Sequence, residues 1–181
     1  FMKKLLCCLL FSSAVYAVDS DFYIESGVLK LNNNSVVNAP KNLKSIARLN
    51  NDLYVLNYKG VYKLESGNFE LVNAGSYKGL SAACDKYLVA YGANLSYLTA
   101  NTWYEIHNVY IYNHATSTNN CDIYLTNNVN LSVIDGDDFS LKNVSTNIKN
   151  ITDLSSKNNV VYIYTPSNIY SYKDGSFSLY K

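Results

Sequence analysis

The chain has 181 residues, of which 48% are hydrophobic and 16% charged, with a formal net charge of +1. That length suits one domain with a core of its own, and the near balance of charge argues against a nucleic-acid binder, which would normally show a basic face. Eighteen tyrosines against eight glycines and two prolines favour pleated structure, on which aromatic and β-branched side chains pack well.

The first element is a leader. Met2-Lys3-Lys4 is a short basic start of bacterial type, Leu5 to Val15 is an apolar run, and Val15 and Ala17 supply the small residues that a signal peptidase reads. The run is too short for a membrane span. Cys7 and Cys8 lie inside it rather than after it, which does not fit a lipid-anchored cysteine. The expected organisation is a signal peptide over residues 1–17 and a single domain over 18–181, secreted or periplasmic. The two remaining cysteines, Cys84 and Cys121, are expected to pair in that oxidising compartment.

Five strand sets follow in tandem. The first is Phe22-Tyr23-Ile24, Val28 to Leu31 and Val36-Val37, and the second is Asp52 to Leu56, Gly60 to Leu64 and Gly67 to Val72. The third has Lys86 to Val89, Leu95 to Leu98 and Trp103 to Ile106. The fourth has Ile123 to Leu125, Leu131 to Ile134 and Phe139 to Leu141, and the fifth has Val160 to Tyr164, Asn168 to Tyr172 and Gly175 to Leu179. Tyr23, Tyr54, Tyr87, Tyr124 and Tyr162 recur at separations of 31, 33, 37 and 38 residues. Phe69, Trp103, Phe139 and Phe177 drift in step with them, which chance periodicity does not do.

A further strand-like stretch precedes copies two to five: Ser45 to Leu49, Leu80 to Ala83, Val109 to Tyr112 and Ile148 to Leu154. For the first copy either residues 18–20 supply a short one or the ring closes differently. In each copy the middle strand is apolar at its first and fourth positions: Val28/Leu31, Val61/Leu64, Leu95/Leu98, Leu131/Ile134 and Ile169/Tyr172. Positions three apart on a strand face opposite sides, so each sheet is covered on both faces. The predicted fold is therefore all-β, a small β-propeller of about five blades with three to four antiparallel strands each.

Asn51 to Leu71 resembles the repeat of two-component-regulator propellers, in which an N-D-x-L-W/Y-V segment leads to G-L/V-Y-x-L and then G-x-F; Asn159 to Leu179 matches it in part. The repeat is also similar to PQQ-type and tachylectin-type propeller units, without their tryptophan signatures. The resemblance implies a sensor, scaffold or lectin. It extends to the repeat alone, because the 181 residues carry neither the membrane helix nor the kinase domain of the regulators.

Candidate chemistry is sparse. Asp135-Gly136-Asp137-Asp138 reads as a hairpin turn rather than a calcium loop, lacking the other ligands of one. Asp52, Asp85 and Asp122 recur at equivalent turn positions, whereas a glycoside hydrolase needs carboxylates in unequal environments; Asp153 is the one acid on an expected innermost strand. His107 and His114 lack a third metal ligand, and no nucleophile elbow or phosphate loop is present. No catalytic residue, metal or cofactor is assigned. Aromatic side chains outside the core pattern are the candidate binding residues, namely Tyr77, Trp103, Tyr104 and Tyr112, with Arg48 facing the channel. The expected function is a non-enzymatic binding or scaffolding propeller outside the cytoplasm, with a protein partner foremost. The alternatives are a carbohydrate-binding lectin and, behind it, a five-bladed glycoside hydrolase.

Overall fold

The computed structural model describes residues 22–108 and 110–181; the expected leader, and the residues 18–20 considered for a first inner strand, lie outside them. The described residues form strands and no helix. The first sheet holds β1 (Phe22–Glu25), β2 (Val28–Leu31) and β3 (Asn34–Ser35). The second holds β4 (Ser45–Leu49), β5 (Asp52–Asn57), β6 (Gly60–Glu65) and β7 (Asn68–Ala74). The third holds β8 (Tyr77–Ala83), β9 (Tyr87–Gly92), β10 (Leu95–Thr99) and β11 (Thr102–Glu105). The fourth holds β12 (His114–Ser117), β13 (Ile123–Thr126), β14 (Leu131–Ile134) and β15 (Leu141–Val144). The fifth holds β16 (Asp153–Lys157), β17 (Val160–Tyr164), β18 (Ile169–Lys173) and β19 (Ser176–Leu179). Every sheet is an antiparallel meander with strands in chain order, and the innermost strands β4, β8, β12 and β16 pack in series. This is a five-bladed, all-β propeller-like fold.

Two-residue hairpins set the registers. Ser26-Gly27, Ser66-Gly67, Ala100-Asn101, Asn158-Asn159 and Asp174-Gly175 all have positive φ at both positions, the geometry whose twist matches that of the flanking strands. Side chains then alternate between the two neighbouring blades. On β5, Leu53 and Val55 join a cluster with Leu29 and Ile46, while Tyr54 and Leu56 join another with Leu80 and Leu88. On β9, Leu88 and Ala90 return to that second cluster, and Tyr87, Val89 and Tyr91 enter a third with Ile123 and Leu125. A fourth unites Leu131, Leu154, Val161 and Ile163. Each blade junction thus has its own apolar core, and each fully buried Leu, Ile or Val stabilises it by about 1.5–3 kcal/mol.

The chain corrects two sequence readings. In the first copy the register is shifted by one residue: Leu29 is fully buried and Val28 is 41% exposed, so Leu29, not Val28, corresponds to Val61. A one-residue slip turns every side chain over, and Phe22 and Ile24 rather than Tyr23 face the second blade. The inner strands of blades four and five also begin later than expected, at His114 and Asp153. Tyr112 and Ile151 sit just before them, fully buried. They anchor the strand entrances, as Leu43 does before β4. Of the expected strand at 109–112, residue 109 lies outside the described residues.

Candidate functional site

Three regions of the described blades carry polar or exposed aromatic groups. The first is the end at which the innermost strands begin. Lys44, Asn113 and Thr152 occupy one equivalent position there, each giving its backbone N–H to the neighbouring strand at 2.8 Å, to Leu56, Thr126 and Tyr164 respectively. Lys78 is the matching residue of blade three and lies at a bulge, where the pairing jumps from Tyr77↔Gly92 to Gly79↔Tyr91. A bulge re-aims the extra residue's side chain, and Lys78 Nζ donates to Asn113 Oδ1 in the next blade. Asn113 Nδ2 in turn donates to Asn128 Oδ1 at 2.9 Å. One position further in, His114 Nδ1 lies 3.4 Å from Asp153 Oδ1, and that oxygen also accepts the Leu154 N–H at 2.8 Å.

The second region is a groove of about 770 Å³ over the junction of blades four and five. The 127–130 turn forms one lip: Asn127 Oδ1 accepts the N–H groups of Val129 and Asn130 at 3.2 and 2.7 Å, which pushes Val129 outward to 53% exposure. The β15–β16 connection forms the wall with Val144 and Ile148, and β18 and β19 contribute Tyr170, Phe177 and Leu179. Asn130, Asn143 and Asn147 add amides, and no charged residue lines it. Leu179 at 66% and Val129 are among the most exposed large apolar side chains of the chain. Nothing in the apolar periodicity signalled this groove; an isolated valine within the polar run Asn127-Asn128-Val129-Asn130 was the one available clue.

The third region lies on the opposite face, where Cys84 and Cys121 are joined in a disulfide with Cα atoms 5.3 Å apart, from the inner hairpins of blades three and four. Asn120 and Asn159 repeat the link between blades four and five through a 2.9 Å side-chain hydrogen bond. The Asp135-Gly136-Asp137-Asp138 segment is here, and its carboxylates are already engaged. Asp135 accepts from Lys142 at 2.7 Å and from the Asp137 N–H at 2.9 Å, and Asp138 accepts from the Ser140 N–H. The Lys142 contact holds the Asp135 carboxyl below its ordinary range, and the Ser140 bonds do the same for Asp138. Asp52 pairs with Lys63 at 2.9 Å and Asp122 accepts the Gly136 N–H at 2.9 Å, so the recurring aspartates act as turn residues.

The residues singled out from sequence do not converge. Tyr77 and Tyr112 are 4% and 0% exposed, and their hydroxyls meet Ser96 and Ser132 at 2.9 and 3.0 Å. A partner does not reach either, and the expectation that they bind one is corrected: they close the entrances of β8 and β12. Trp103 packs half-buried in the junction of blades two and three. Arg48 lies with its guanidinium carbon 5.5 Å from the Phe22 ring centroid and donates to the Asn51 carbonyl at 3.4 Å, so it ties blade two to blade one. Tyr104 alone keeps an exposed ring, at 45%. It stacks on Tyr97 at 5.1 Å, which stacks on Phe139 at 4.9 Å, a ladder across the rim of blades three and four.

The geometry defines a propeller-like fold, and solved structures agree. The fold is similar to a calcium-binding regucalcin from Agrobacterium tumefaciens, with a TM-score of 0.60 and 12% identity over 83% of this chain and 64% of that one. It is similar to PorZ, a bacterial surface component of the type-IX secretion system of Porphyromonas gingivalis, with a TM-score of 0.62 and 14% identity over 87% of this chain and 26% of that one. A gluconolactonase from Xanthomonas campestris gives a TM-score of 0.57 and 9% identity over 82% of this chain and 63% of that one. The chain spans less than two thirds of the length of each. No family model and no curated sequence matches it. These likenesses are of fold, which binding proteins and enzymes share. Among the described residues no helix is long and apolar enough to cross a membrane.

Proposed function

We propose that this chain is a non-enzymatic binding module acting outside the cytoplasm, and that it holds an uncharged, apolar stretch of a partner protein in the groove between blades four and five. The observation that carries the reading is the make-up of that groove. Val129 and Leu179 are exposed at an uncharged groove that also takes Tyr170 and Phe177, and aromatic anchors in a desolvated pocket dominate protein recognition. A scaffold needs one such patch; a lectin built by repetition would carry similar pockets at successive junctions. The Cys84–Cys121 bond supports an oxidising compartment, and the Met2-Lys3-Lys4 leader supports export. Asp153 is paired with His114 rather than with a second carboxylate, which disfavours the hydrolase reading.

Carbohydrate binding is the second reading, favoured by the set of three asparagines with Tyr110 and Tyr170 in the same groove. A photo-crosslinker placed at Leu179 tests the first reading in envelope extract, with Val129→Asp as control and a glycan array run in parallel. One protein captured at position 179 and lost with Val129→Asp supports the scaffold. A related sugar series whose binding is lost with Asn143→Ala replaces it with the lectin. Silence in both overturns the groove as a binding site.

A further inference from the structure

The blades stack through one recurring contact. The tyrosine that marks the repeat faces the following blade each time: Tyr54 lies in the core shared with blade three, Tyr87 in that shared with blade four, and Tyr124 in that shared with blade five. An aromatic side chain of the next blade meets it, Phe139 at 5.1 Å from Tyr87 and Tyr172 at 5.8 Å from Tyr124. Tyr162 holds the same place in blade five, but among the described residues no apolar cluster takes it up or joins blade five to blade one. Leu154, Val161, Ile163 and Tyr170 face blade four, so alternation and register put Ser155, Tyr162, Tyr164, Ile169 and Tyr180 together on the far side. The contacts of these rings come from their own blade: Tyr162 meets the Tyr180 ring at 4.9 Å, and Tyr164 shares a hydrogen bond of 3.0 Å with Ser155. Tyr180 is 62% exposed, and the charged Asp153, Lys157 and Lys173 stand at the ends of the face.

Blade one ends the array differently. Its outward side carries Tyr23, Glu25, Val28 and Lys30, and the polar groups there are paired within the blade. Lys30 reaches Glu25 at 3.7 Å and Ser35 at 3.1 Å, and the Tyr23 hydroxyl donates to Asn33 at 2.8 Å. A stacked array needs a polar outer face on its terminal repeat; blade one has one, and blade five presents tyrosines and Ile169 instead. We propose that the outward face of blade five is a self-association surface, on which blade five of a second copy packs about a two-fold axis. Such an axis makes a patch its own partner, and a tyrosine-rich centre with charge at its ends matches the make-up of protein interfaces. Each copy brings to the other's Tyr162 the aromatic side chains that a following blade supplies elsewhere. Blade one of a second copy fits less well, because Glu25 and Lys30 would be buried over those rings. The groove lies on the opposite side of blade five, with Tyr170 and Phe177. The pairing therefore goes beyond the binding function proposed above, stands without it, and sets two grooves in one assembly.

Sedimentation of the purified, oxidised chain across a dilution series tests the pairing, together with a photo-crosslinker at Tyr180 in a mixture of isotope-labelled and unlabelled chains. A reversible monomer–dimer equilibrium is expected, with mixed-isotope crosslinks from position 180 to β16, β17 or β18 of the second copy. Tyr162→Lys and Ile169→Lys are expected to weaken the dimer by about tenfold or more each, as lost central anchors do, and Tyr23→Lys on blade one to leave it unchanged. Near-UV circular dichroism of the variants separates a lost dimer from a lost fold. Tyr180→Ser, at an exposed position, is expected to weaken the dimer even where a lysine variant unfolds. A monomer at every concentration overturns the pairing, as does a dimer untouched by these substitutions. Crosslinks to blade one, or only within one chain, overturn it as well, and none of these results depends on what the groove binds.

Discussion

The Tyr112 hydroxyl donates to Ser132 Oγ at 3.0 Å within blade four, from the entrance of β12 to β14. Blade three repeats the device with Tyr77 and Ser96 at 2.9 Å. The repeat encodes an anchor that is apolar in body and polar at its tip, and Leu43 and Ile151 fill the same place in blades two and five without the polar tip. The two pairs differ in one respect: Ser132 also donates to Asn143 Oδ1 at 3.1 Å, whereas Tyr77 is the side-chain partner of Ser96. Tyr77→Phe therefore leaves a buried hydroxyl unpaired and is expected to cost about 1–3 kcal/mol. Tyr112→Phe leaves Ser132 with one bond and is expected to cost about 1 kcal/mol or less. Urea denaturation of both variants checks the order; equal losses would show that Asn143 does not compensate.

How much of this was legible in the sequence follows from what each feature depends on. The five-fold repeat and the two-faced sheets were legible because Val61/Leu64 and Leu95/Leu98 must serve two neighbours at once. The equivalence of Cys84 and Cys121 was legible because both precede a recurring tyrosine. The register of the first blade was not, because Val28 and Leu29 are both apolar and only packing decides which is buried. Tyr77 and Tyr112 were misjudged for a related reason. A tyrosine outside the alternating pattern looks exposed, but these two are buried by the connection that leads into the inner strand. The groove and the Lys78 bulge arise from loop conformation, which apolar periodicity does not report.

The disulfide closes a loop across two blades with a sequence separation of 37. Removing it frees the unfolded chain, and the chain-entropy model places the loss at about 4 kcal/mol, with measured values typically 2–4. Cys84→Ala with Cys121→Ala is expected to lower the unfolding free energy read from urea denaturation by that amount without altering the native far-UV spectrum. Thiol labelling of the unfolded, unreduced chain is expected to find neither Cys84 nor Cys121 reactive; modification of both would overturn the pairing.

Gly60 and Gly67 are both hairpin glycines with positive φ, +142° and +83°, but only one is crowded. A Cβ on Gly60 would press into the Asn73 carbonyl and come within 2.8 Å of Ala74 Cα, whereas one on Gly67 meets nothing within 4 Å. The strand partner of Gly60 is backbone and cannot swing aside, and the β6–β7 pairing shifts register next to it, between Val61 and Tyr62. Gly67→Ala is expected to cost about 1 kcal/mol for the left-handed backbone alone, and Gly60→Ala clearly more, read from thermal midpoints of the two variants. Equal midpoints would show that β7 can shift to admit the methyl group.

Burial raises the phenol pKa of Tyr87 and Tyr91, and pushes that of Tyr124 up to about 12. The unfolded chain ionises these groups near pH 10, so the native state holds more protons than the unfolded state above that point. Stability then falls with rising pH. The sign follows: the contribution is complete below about pH 10 and is lost as the pH climbs toward the folded values. Urea midpoints are expected to be flat through neutral pH on this account and to drop steeply above about pH 10. Absorbance of tyrosinate and near-UV circular dichroism followed together separate the cause. Late-ionising tyrosines that appear only as tertiary structure is lost fit the burial of Tyr87, Tyr91 and Tyr124. Complete ionisation of every tyrosine in a chain that keeps its near-UV spectrum would show that these three hydroxyls reach solvent.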